Sequence, residues 1–180
     1  FIKSMRDLGS SASIQDFKKG SSLPLDFKSP IGQEELVQQI ASITLNIIQG
    51  TDNPQIIKEL VSHLESYYQP IFERNRSIGI SQNLYILGSI NELAFLKTQE
   101  RSYFESAKKY FGRALELGPR RPQSLYGNFD IHRLERDVEK TAKIANQILD
   151  QWPSDEKTRN LLKEFIEQTD PKSKSGSSSQ

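Results

Sequence analysis

The stretch "AKKYFGRALELGPRRPQSLY", residues 107–126, decides the fold. Ala107, Phe111, Ala114 and Leu115 recur at helical spacing, and Gly118-Pro119 ends the run. Forty-one residues before "QSLY" stands "QNLY". The stretch is therefore either a functional loop or the seam of a helical repeat, and a wider comparison favours the seam. Laying 82–93 against 123–134 pairs Gln82 with Gln123, Leu84 with Leu125, Tyr85 with Tyr126, Ile90 with Ile131 and Leu93 with Leu134. The helices that follow correspond at a different offset: Leu115 with Leu149, and Pro119 with Pro153, 34 residues on. A longer loop around "KTQERS" in the first unit accounts for the difference of seven. Self-similarity at this period marks stacked helix pairs, which bury their apolar faces only against one another.

Outward from the seam, only helices are found. Leu36, Val37, Ile40, Ile43, Thr44, Ile47 and Ile48 form an apolar stripe over 33–49, and Gly50 stops it. Asn53-Pro54 starts a second helix, with Asn as cap and Pro at the first helical position. Ile57, Leu60, Val61, Leu64, Tyr67, Tyr68 and Ile71 continue it, and Pro70 is expected to kink or end it. A third helix begins near Ser81 with Leu84, Leu87, Leu93 and Leu96 on its apolar side. Further helices are expected over 102–117, 122–134, 138–151 and 155–168. No run alternates with period two between hairpin turns, so no strand is assigned. The expected fold is all-α, about seven helices in stacked hairpins forming an α-α superhelix. Residues 30–168 form its domain, residues 1–29 a Ser-, Lys- and Gly-rich linker or lead-in, and residues 169–180 a polar tail.

Composition narrows the function. In 180 residues the hydrophobic fraction is 35%, charged residues make up 26%, and the formal net charge is +1, which steers neither nucleic acid nor an anionic membrane. The absence of cysteine excludes disulfides and thiolate metal sites. No stretch approaches the roughly 20 apolar residues of a membrane span. Without an initiating methionine or a signal-peptide pattern at Phe1, the chain reads as a fragment or processed segment.

Chemistry-bearing constellations are lacking. His63 and His132 have no ligand partners at metal spacing, and no cofactor is expected. The serines at 10–13 and 175–179 lack a nucleophile turn, and Glu34-Glu35 and Glu164/Glu167 belong to helix starts or solvated faces. "GPRRP" is not a phosphate loop. Arg120 and Arg121, in the turn, are candidates for an anion contact, or for capping the carbonyls that end the 102–117 helix. No enzyme is indicated.

Leu87, Gly88, Ala107, Phe111, Ala114 and Pro119 resemble the tetratricopeptide repeat. The second unit keeps Leu125 and Pro153 but has Thr141 and Ala145 where Ala107 and Phe111 align. The resemblance implies a groove lined by the first helix of each pair. Its contact positions carry over to Gln82, Tyr85, Ser89 and Glu92, and to Gln123, Tyr126, Asp130 and Arg133. Tyrosines and glutamines there suit a protein or peptide segment. Over residues 34–167, "YFESAKKYFGRALELGPRRPQSLY" and "DQWPSDEKTRNLL" also look like the C-terminal repeat region of bacterial O-antigen ligase/polymerase-like membrane proteins. That resemblance implies a non-catalytic extracytoplasmic tail, tethered to membrane helices and serving surface-polysaccharide assembly. A free-standing cytoplasmic adaptor is the alternative.

Overall fold

The computed structural model describes residues 14–26, 33–74 and 79–169. Among them are eight α-helices and no strand: α1 (Ile14–Leu25), α2 (Gln33–Gln49), α3 (Pro54–Arg74), α4 (Ile80–Thr98), α5 (Arg101–Leu117), α6 (Pro122–Glu135), α7 (Val138–Gln151) and α8 (Glu156–Thr169). The protein is all-α. Among the described residues no helix is long and apolar enough to cross a membrane. The chain divides into two compact units, with the boundary between Ala114 and Leu115 within α5.

In the first unit, α2 and α3 form a hairpin whose Val37, Ile40, Ala41, Ile48, Ile57, Leu60 and Leu64 are buried in one core. Asn53 starts α3 as its spacing predicts, accepting hydrogen bonds through Oδ1 from the amides of Gln55 (3.0 Å) and Ile56 (3.4 Å). Helix α3 does not end at Pro70 but runs on to Arg74. The bond lost at proline is offset by packing: Ile71 is buried, and Phe72 stacks on Tyr68 at 5.8 Å.

Helix α4 buries Leu84, Leu87, Ile90 and Ala94, whereas Leu96, expected on the apolar side, is 50% exposed. Helix α5 returns antiparallel to α4: Ser81 Oγ donates to the Ala114 carbonyl, Tyr85 meets Phe111, and Phe95 meets Phe104. Glu65 of α3 joins this hairpin to the one before, accepting from Asn91 of α4 and from Tyr110 of α5, both at 3.2 Å.

In the second unit α6 and α7 form a hairpin that buries Leu125, Phe129, Ile144, Ala145 and Ile148, and α8 packs onto α7. Both hairpins turn through a two-residue connection whose first residue is left-handed, Gln99 (φ 60°) and Arg136 (φ 58°). The seven-residue difference in spacing is therefore not a longer loop. Under the two offsets α4 runs four residues further than α6, and α5 starts three residues earlier than α7. The α4–α5 hairpin is longer by about one turn on each helix, and the extra turn is packed by Phe95 against Phe104 at 5.2 Å and by the Arg101 guanidinium over Phe104.

Helix α1 lies in the segment expected to be linker. Phe17, Ser21 and Leu25 are spaced by four and are buried against α2 and α3. Only three points carry that period, set among Lys, Gly and Ser, so it is legible only once a partner surface covers it. Lys18 pairs with Glu59, Ser21 with His63 and Asp26 with Tyr67. The near-constant separation of these pairs means that α1 runs parallel to α3. The remaining linker residues, 1–13 and 27–29, lie outside the described residues, as does the tail from Asp170.

Candidate interaction groove

Amphipathic packing leaves a polar stripe on α2: Glu35, Gln38, Gln39 and Ser42 recur at spacings of three and four. Because α2 lies beside α4, that stripe meets Gln82 and Ile86, and the six residues line an open groove of about 460 Å³. Its base is tied by amides. Gln38 Nε2 donates to Asn83 Oδ1 at 2.7 Å, and Asn83 Nδ2 donates to Glu34 Oε2 at 3.4 Å. Ser42 Oγ donates back to the Gln38 carbonyl, leaving Gln39, Gln82 and Glu35 to face an incoming group. A carboxamide donates and accepts at once, which matches the alternating donors and acceptors of an extended peptide backbone.

The four positions carried over to the first unit are partly exposed. Gln82 is on the groove wall, and Tyr85 lies over Phe111 at 5.8 Å between ring centroids. Ser89 and Glu92 follow along the same helix. The α2–α3 hairpin packs beside α4 without covering Tyr85, which is only half-buried.

In the second unit the carried-over residues are engaged locally. The Tyr126 hydroxyl donates to Asp155 Oδ2 at 2.6 Å, and its ring stacks with Trp152. That bond, with burial and the Asp155 charge, pushes the phenol up to about 12, while the Tyr126 and Thr158 donors hold Asp155 below the usual carboxylate range. Asp155 also caps α8 by accepting from the Thr158 amide at 3.1 Å. Asp130 pairs with Arg133 at 3.0 Å, and the guanidinium covers the Phe129 ring. Burial raises the Asp130 carboxyl, against the lowering effect of Arg133 and Lys157. Gln123 is exposed, as are Arg120 and Arg121; neither arginine pairs with a carboxylate among the described residues.

No group of His, Asp and Glu among the described residues is arranged to hold a metal. His132 lies 3.3 Å from Glu135 on its own helix, and His63 bonds Ser21. The α2 side of the groove escapes the sequence reading, although the spacing of Glu35, Gln38, Gln39 and Ser42 carries the signal. It is missed because no repeat motif reaches α2. Comparison with protein-family models, curated proteins and solved structures finds no match to this chain.

Proposed function

We propose that this chain is a helical-repeat protein-interaction module that receives an extended protein segment along the α2–α4 groove. The carrying observation is the groove lining itself: three glutamines with Ser42 and Glu35, open to solvent. The partial exposure of Tyr85 and Ser89 further along α4 supports a longer path for the same segment. Peptide-display panning against the full chain tests this. Enriched peptides should lose binding to Gln82→Arg and keep it with Gln147→Arg, an exposed position on α7. Peptides that bind both variants alike would remove the groove from the reading.

The finer reading is a non-catalytic extracytoplasmic tail of a membrane protein of surface-polysaccharide assembly. It is supported by the sequence resemblance over 34–167. Reporter fusions at the C-terminus of the full gene product test it. Alkaline phosphatase activity is expected, whereas fluorescence from a cytoplasm-dependent reporter would mark a cytoplasmic adaptor instead.

A further inference from the structure

The seam between α1 and α3 is built around one titratable ring. His63 Nε2 lies 2.8 Å from Ser21 Oγ, and the imidazole is held edge-on by Phe17 of α1 and Tyr67 of α3. Lys18 of α1 lies one turn from Ser21 and pairs with Glu59 of α3 at 3.5 Å. Asp26 of α1 accepts from the Tyr67 hydroxyl at 3.0 Å. Across the seam Lys18 and Asp26 of α1 bear on His63, and Glu59 and Tyr67, one turn to either side on its own helix, hold those two in place.

Protonating His63 does not break its hydrogen bond. Nε2 of the neutral ring accepts from Ser21 or donates to it according to its tautomer, and a protonated ring donates to the same oxygen with the Ser21 proton on the carbonyl of Phe17 (2.9 Å) or Lys18 (3.1 Å). The cost is electrostatic: a second cation is placed beside Lys18 in a half-buried seam, and Asp26 only partly offsets it. Burial first, then Lys18, holds His63 below the ordinary imidazole value of 6.5, against Asp26. The undocked ring, free of both, binds a proton more readily. Docking is therefore at full strength above 6.5 and weakens as pH falls from there toward the docked ring's own lower value.

We propose that α1 is a pH-sensitive latch, docked on α3 while His63 is neutral and released on protonation to uncover the α2–α3 face beneath Phe17 and Leu25. This stands independently of the groove. Hydrogen–deuterium exchange on the full chain, corrected for intrinsic rates, reads it directly at pH 7.5 and pH 5.5. Amides of 14–25 should exchange several-fold faster at the lower pH, with α7 and α8 unchanged. His63→Phe keeps the ring packing and leaves Ser21 its carbonyl acceptors, so α1 should stay protected at both pH values. Should this variant leave α1 unprotected at both, His63→Gln, which also cannot titrate, takes its place. Equal protection of α1 at both pH values in the parent chain would overturn the latch. So would an acid-induced loss that persists in a docked variant lacking the imidazole.

Discussion

Gly88 and Phe111 fit so closely that a methyl group on Gly88 would stand 2.6 Å from two carbons of the Phe111 ring. The second hairpin reverses the sizes. By the two offsets Phe129 stands where Gly88 does and Ala145 where Phe111 does, and both are buried in one cluster. Each hairpin thus carries one large and one small buried residue at these positions, contributed by opposite helices. This exchange of sizes keeps the buried space filled in both hairpins.

Gly88→Ala is therefore expected to destabilise the first unit by about 1–3 kcal/mol, despite gaining about 1 kcal/mol of helix propensity. Phe111 is fully buried and has no room to withdraw. Urea denaturation checks the sign. In a double-mutant cycle, Gly88→Ala should cost much less in the Phe111→Ala background, because the clash is gone. Additive costs would mean that the contact is not what constrains Gly88.

Gln99 and Arg136 hold the left-handed conformation that glycine adopts without strain. Replacing either with glycine should raise stability by up to about 1 kcal/mol, measured as a higher urea midpoint at unchanged slope. A loss in both variants would show that their side chains contribute more than the backbone strain costs.

Glu65 joins three helices, so Glu65→Ala should cost about 1.5–3 kcal/mol for the charged hydrogen bonds it removes. The Tyr110 hydroxyl, whose ionisation is pushed up by burial and by Glu65, should then titrate earlier, read by ultraviolet absorbance at high pH.

Tyr126 should ionise at about 12, and Asp155→Asn should bring it back toward 10.0. The stability this group contributes is fully present below 10.0 and is lost as pH rises through about 12. Asp155, lowered, contributes above 3.8 and loses its contribution as pH falls through its folded value. Tyr126→Phe should speed amide exchange in α8 and leave α1–α4 as they were.

Read alone, the chain disclosed its helices, the Asn53 cap and the Gly118-Pro119 break. These are local matters: helical period and capping act between residues about four apart, so composition and spacing display them. Gln82 and Tyr85 came instead from the tetratricopeptide resemblance, which carries groove positions over by alignment and not by local spacing. Tertiary structure alone decided the rest. It showed that Phe17, Ser21 and Leu25 make a helix, that Pro70 is passed, that Gly88 answers Phe111, and that α2 supplies most of the groove lining. Each depends on a surface brought close from another helix, by way of Glu59, His63 and Tyr67 for α1 and of Asn83 for α2. Burial of a sparse apolar pattern is favourable only when such a partner excludes water from it.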